Sequence, residues 1–148
     1  MPQRRLERWL ETELGLRNAS ADARLGGGNS NVTQLIRHDG GLAVLRRPPD
    51  DTISASAGAG IAREYGMLEA LHGRAKVPRP LGYCDDLTVA GHVFSVIEHV
   101  PGVAISETLP TGYACDAATI SALGTELIDA LATVHQIDWR VIGMKAPA

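Results

Sequence analysis

The stretch RLGGGNSNVTQLIRHDGGLAVLRRPP, residues 24–49, decides the fold. Three glycines and three small polar residues, Gly26 to Asn31, lie between two strand patterns. The first is short, Ala23-Arg24-Leu25. The second, Val32 to Arg37, carries β-branched residues at strand spacing. His38-Asp39-Gly40-Gly41 then holds Asp-Gly, whose backbone freedom suits a two-residue hairpin. Leu42 to Arg47 is the next strand, and Pro48-Pro49, with no N–H to donate, ends it. Strands joined by hairpins run antiparallel.

Working outward, residues 3–14 read as a helix. Leu6, Trp9, Leu10 and Leu14 fall on one face with Arg and Glu opposite, and Gly15 is a stop. The piece PPDDTISASAGAG, residues 48–60, is proline, glycine and small residues, which predicts a loop. Ile61 to His72 is helical. VPRP at 77–80 is extended. Leu81 to Cys84 and His92 to Val100 read as two strands around an Asp-rich turn, and Pro101-Gly102 breaks the second. Asp116 is a predicted N-cap for a helix from Ala117 to His135, with Ile120, Leu123, Leu127, Leu131 and Val134 along one stripe. The order is helix, three strands, helix, two strands, helix. That predicts an α+β class: an antiparallel β-sheet with flanking helices.

Composition narrows the function. The chain has 148 residues, 45% of them hydrophobic, enough to bury a core. Fourteen Lys and Arg against 17 Asp and Glu give a net charge of −3, which argues against a nucleic-acid binder. Cys84 and Cys115 show no metal-ligand spacing and read as reduced thiols in a cytoplasmic protein. The N-terminus has no apolar h-region. No uninterrupted run of about 18 apolar residues occurs, so no membrane contact is expected.

The glycine loop fits two familiar phosphate motifs poorly. A P-loop needs Gly-Lys-Ser/Thr opening a helix, and no Lys follows these glycines. A dinucleotide loop needs a third glycine where Asn31 stands, and a helix where a strand follows. A glycine loop bent between antiparallel strands is instead the arrangement that covers ATP phosphates in kinase-like enzymes. Gly27, Gly28, Asn29 and Ser30 are its candidate donors. An ordinary Gly/Asn-rich hairpin turn explains the same residues equally well.

Two further features bear on the choice. On the helix after the third strand, Ile61, Tyr65, Leu68 and Leu71 form the apolar face. At about 100° per residue, Glu64 falls in the middle of that face. A carboxylate aimed at a core needs a partner. Arg46 is the best candidate, because it shares a strand face with Leu42 and Val44. The alternatives are that Glu64 turns to solvent or pairs with Arg63 or Arg74. The second feature is the apolar strand Val93 to Val100 running into Pro101-Gly102. Backbone groups from Glu98 to Val100 are candidates to pair with an adenine edge, with Ile97 as a pocket wall. A plain core strand is the other reading.

GGGNSNVTQLI, LAVLRRPP, IAREYGMLEAL, VPRPLGYCDD and VFSVIEHVPG, in this order, resemble the aminoglycoside phosphotransferase family. The nearest branch includes the kinase-like domain attached to some acyl-CoA dehydrogenases. The resemblance covers nearly the whole chain. It implies the ATP-binding N-terminal lobe of a protein-kinase-like fold, from a family that uses Mg-ATP to phosphorylate a hydroxyl of a small molecule. It places Ser30 and the loop glycines over the phosphates, Arg46 where a Lys is usual, Glu64 as its partner, and Glu98 to Val100 as the adenine hinge. Arg for Lys turns a point charge into a fork.

The same resemblance implies an Asp that orients the hydroxyl, an Asn for metal and a second Asp for Mg²⁺, all in a C-terminal lobe. No His-Gly-Asp…Asn loop occurs in residues 1–148. In His135-Gln136-Ile137-Asp138-Trp139, Asp138 comes directly off the last helix and reads as a helix-end residue rather than a metal ligand. No catalytic or metal-binding residue is therefore assigned. Residues 1–148 are expected to form the nucleotide-binding lobe, with 103–148 as linker and helix leading toward the absent lobe, and the chain alone is expected to be inactive. Other expectations are a non-catalytic nucleotide- or protein-binding module, or one half of a split kinase. Without the C-terminal lobe the stripe on the last helix is expected to be exposed, which favours a homodimer, and in the binding module that stripe would be the interface.

Overall fold

The computed structural model describes residues 2–25, 31–49, 55–103, 105 and 109–143. The elements follow as α1 (Pro2–Leu14), β1 (Ser20–Arg24), β2 (Val32–His38), β3 (Gly41–Arg47), α2 (Ala55–Leu71), β4 (Pro80–Cys84), α3 (Leu87–Ala90), β5 (Phe94–Glu98) and α4 (Ala117–Gln136). The five strands form one antiparallel sheet in the order β1-β2-β3-β5-β4. This is the α+β arrangement expected from the hairpin signals. Asp39-Gly40 makes the β2–β3 turn, with His38 opposite Gly41 and Gly41 at φ 127, a conformation that favours glycine.

Side chains alternate across a sheet, so each face has its own residue set. Ile36 stands opposite Ala43, Leu45 opposite Val96, and Cys84 opposite Phe94. All six belong to one buried cluster with Leu10 and Leu16, and Trp9 and Leu14 pack against it. This is the face that α1 covers. Trp9 meets Phe94 edge-on, ring centroids 5.0 Å apart and planes at 81°, a favoured aromatic geometry. Helix α1 lies so close to β4 that a Cβ at Gly82 would stand 2.5 Å from Leu14 Cδ2 and 3.2 Å from Trp9 Cη2. Gly15, at φ 68, ends the helix: its N–H donates to Glu11 O at 3.0 Å, as in an αL cap.

The opposite face carries Val44, Arg46, Ser95, Ile97 and Tyr83, and α2 packs there. Ile61 is fully buried, and Tyr65 lies against Tyr83 with centroids 5.7 Å apart.

Two expectations need correction. Helix α2 begins at Ala55, not Ile61, so half of the loop read in residues 48–60 is helix. In these early turns a Cβ at Gly58 would stand 3.2 Å from Val93 Cγ2, so the absence of a side chain there permits a close approach to the segment before β5. The Asp-rich turn holds a short helix, α3. Asp86 caps it by accepting from Thr88 N–H, and Gly91 closes it at φ 84. Helix α4 is long and apolar enough, by length and composition alone, to cross a membrane, although its apolar residues are interrupted. It has no buried residue; Ile120, Leu127, Ile128 and Leu131 are each more than half exposed. Asp116 caps it as expected, accepting from Thr119 N–H at 2.7 Å.

Candidate functional site

The site is built where β3 meets α2. Strand alternation puts Arg46 on the α2 face, directly opposite Thr33 of β2 and Ser95 of β5. Helical spacing puts Glu64 one turn beyond the buried Ile61. The two meet: Arg46 Nε is 2.8 Å from Glu64 Oε1, and the side chains are 29% and 33% exposed. Of the partners open to Glu64 in the sequence, the structure selects Arg46. Arg46 Nε is buried and makes no aligned hydrogen bond, despite the short contact. The contact is therefore an ion pair in which the Nε–H is not aligned with the carboxylate oxygen. A guanidinium has five donors in a fixed fork.

Neighbouring Arg47 points to the other face and is buried, with Nη1 donating to Pro48 O at 3.0 Å. Ser95 is fully buried beside Arg46. Sequence reading missed it, although its parity with Ile97 on one strand already placed the two on one face. Burial raises the Tyr65 phenol above its ordinary value, and the nearby Glu69 carboxylate adds to the shift. Burial also raises Tyr83, with Asp85 adding to it. Both rings therefore stay neutral packing groups across the neutral pH range.

The glycine loop joins β1 and β2, and these strands pair antiparallel up to its edges: Leu25 N–H donates to Thr33 O at 2.8 Å. Gly27, Gly28, Asn29 and Ser30 themselves lie outside the described residues. Ile97 is buried on the α2 face opposite Val44. Glu98 is occupied in a way the sequence did not show. Its N–H donates to Arg79 O at 2.8 Å, and its carboxylate accepts from Arg79 N–H at 3.0 Å. This clasp ties the end of β5 to the segment before β4 and takes the Glu98 N–H out of the groups open to a ligand. Val100, just beyond, is 59% exposed.

Asp138 sits in the turn after α4. Its carboxylate accepts from Arg140 N–H at 2.9 Å and its carbonyl from Val141 N–H at 3.0 Å. That is a turn-stabilising role. Among the described residues, no three His, Cys, Asp or Glu side chains are grouped to hold a metal ion.

A five-stranded antiparallel sheet, with a helix inserted after the third strand and an arginine–glutamate pair between them, is the architecture of a kinase-like phosphotransferase domain. The family model described as "Phosphotransferase enzyme family" matches residues 23–147, and the chain belongs to that family. A solved structure assigned as an aminoglycoside phosphotransferase from Ralstonia eutropha superposes with a TM-score of 0.75 at 27% identity, covering 95% of this chain and 40% of that one. Among curated proteins, the chain is 30% identical over 141 residues to acyl-CoA dehydrogenase family member 10 of Mus musculus. It is 35% identical over 121 residues to acyl-CoA dehydrogenase family member 11 of Gallus gallus. These alignments cover 93% and 80% of this chain but only 13% and 15% of those relatives.

Proposed function

We propose that this chain is the nucleotide-binding lobe of an ATP-dependent phosphotransferase that acts on a hydroxyl of a small molecule. The observation that carries the reading is the 2.8 Å contact between Arg46 on the third strand and Glu64 on the following helix. In kinase-like lobes a cation at this place holds the α/β-phosphates and is held by a helix carboxylate. The residues present fit the phosphates. Arg46 is charged, part-buried and oriented by Glu64 with donors to spare. Residues 26–30 connect β1 to β2, the strand that pairs with β3, and Ile97 supplies an apolar wall.

Mg²⁺ in this reading is held by carboxylates and an amide from a C-terminal lobe outside residues 1–148. When bound with ATP it neutralises charge developing on the transferred group. This chain's own part is to bind and orient the nucleotide, so alone it transfers no phosphoryl group. In this reading α4 is not a membrane span. Glu126 and Asp129 lie at its middle, and a carboxylate at a bilayer centre costs on the order of 3 kcal/mol. Glu126 instead pairs with Lys76 at 3.0 Å.

Titration with ATP and with adenosine tests the reading. ATP should bind more tightly than adenosine, and Arg46→Ala should erase the difference. Equal affinity for the two ligands in the unaltered chain would refute it, and phosphorylation of any small molecule by the chain alone would refute the inactivity. The uncovered stripe of α4 favours a second reading, a module that binds another protein surface. Dimerisation unaffected by nucleotide in size-exclusion runs would favour it.

A further inference from the structure

We propose that Tyr83 is a positioning residue for the Arg46–Glu64 pair, acting through its ring contact with Tyr65. Arg46 of β3, Ser95 of β5 and Tyr83 of β4 stand in one row across the sheet. Neighbouring strands lie about 4.8 Å apart, so the outer backbones of this row are about 10 Å apart. Helix α2 meets both ends of it. Glu64 Oε1 lies 2.8 Å from Arg46 Nε, and the Tyr65 ring lies against Tyr83 with centroids 5.7 Å apart and planes at 32°. Consecutive residues of one helix thus reach the strands on either side of β5, and Ser95, fully buried, stands between them.

Glu64 and Tyr65 are separated by about 100° around the α2 axis. A roll of the helix that carries one of them toward the sheet therefore carries the other away. A roll toward β4 lifts Glu64 from Arg46 and presses Tyr65 into the Tyr83 ring, which blocks it. The ion pair resists that roll only weakly by itself, because its Nε–H is not aligned with the carboxylate and an unaligned contact loses most of its directionality. A smaller side chain at Tyr83 leaves space that the rolling helix can fill. The stop is the ring and not the hydroxyl, so phenylalanine serves equally well.

The inference rests on the reading of Arg46 and Glu64 as the phosphate-holding pair for its functional meaning, but the positioning is measured without nucleotide. The coupling between Arg46 and Glu64 is taken from a double-mutant cycle in urea, in the unaltered chain and in the backgrounds Tyr83→Phe, Tyr83→Leu and Trp9→Leu. Trp9 packs on Phe94, on the far face of the sheet, so Trp9→Leu controls for a general loss of stability.

The expected coupling is unchanged in Tyr83→Phe and Trp9→Leu and falls below about half in Tyr83→Leu. A coupling that survives Tyr83→Leu, that falls as far in Trp9→Leu, or that is absent from the unaltered chain overturns the proposal. Tyr65→Leu breaks the same stack from the helix side and must reproduce the loss; if Tyr83→Leu does not fold, the Tyr65→Leu cycle decides alone. In parallel, Tyr83→Leu should weaken ATP binding about 2- to 30-fold and leave adenosine binding unchanged, and Tyr83→Phe should bind both as the unaltered chain does. Equal losses for both ligands would mean a merely structural role and overturn the proposal. If the unaltered chain binds ATP no more tightly than adenosine while the coupling depends on the Tyr83 ring, the positioning stands and the nucleotide reading falls.

Discussion

Removing Glu64 from Arg46 is the most direct test of the site, and its size follows from the geometry. At 2.8 Å the gross attraction is about 1.5 kcal/mol in a water-like dielectric and about 6 kcal/mol at an effective dielectric of 20. Exposed pairs yield about 0–1 kcal/mol net, whereas stripping one partner from a buried pair costs about 3–5 kcal/mol. Exposures of 29% and 33% place this pair between the two limits. The unaligned Nε–H pulls it toward the lower one. We expect a coupling of about 1–2 kcal/mol between Arg46 and Glu64. The assay is a double-mutant cycle in urea using Arg46→Ala, Glu64→Ala and the double variant, with m-values compared to confirm the same transition. Because the pair is part-buried, more than half of the coupling should survive in 1 M salt, where the Debye length is about 3 Å. A coupling below about 0.3 kcal/mol, or one abolished by salt, would show an exposed pair of no structural consequence and refute the reasoning.

Three other outcomes are expected. Gly82→Ala should lower stability by about 1–3 kcal/mol, read as a lower Tm: Leu14 Cδ2, 2.5 Å away, can rotate, but the Trp9 ring at 3.2 Å is wedged against Phe94. Backbone and side-chain hydrogen bonds from Thr119 hold Asp116 below its ordinary value of 3.8. The stability this contributes is present above that value and is lost as pH falls through the lower folded one, so the helicity gap between the native chain and Asp116→Ala should close in acid, as followed by circular dichroism. Iodoacetamide should label exposed Cys115 first, because Cys84 is buried and burial raises its thiol pKa; peptide mass spectra showing Cys84 modified at the same rate would contradict the packing of β4.

Much of this was legible because two periodicities sufficed. Alternation placed Arg46 on the face opposite Leu45, and a 100° step placed Glu64 with Ile61, so their meeting could be expected from residues 18 positions apart. The start of α2 was hidden because ASAGAG carries no apolar rhythm. The close approach of Gly58 to Val93 in those turns is distant in sequence. Helix α3 was missed although its signals are present: Asp86 two residues before Thr88, and Gly91 at its end. The Glu98–Arg79 clasp and the stack of Tyr65 on Tyr83 depend on how separate segments are brought together. Local pattern carries no trace of either. Residues 26–30 remain the reading of the sequence.

The strand order also has a consequence for the birth of the protein. Strand β5 is the last of the five described strands in chain order, yet it lies between β3 and β4, with Leu45 opposite Val96. A ribosome adding about 5–20 residues per second completes the β1-β2-β3 meander several seconds before that central piece arrives. During this interval β3 presents a row of unpaired N–H and C=O groups flanked by Ala43 and Leu45, the kind of edge that captures stray strands. Strand β4 does not close it, since among the described strands it pairs with β5. The nascent chain's most aggregation-prone moment therefore ends only when FSVIE, residues 94–98, clears the exit tunnel and locks both halves of the sheet at once.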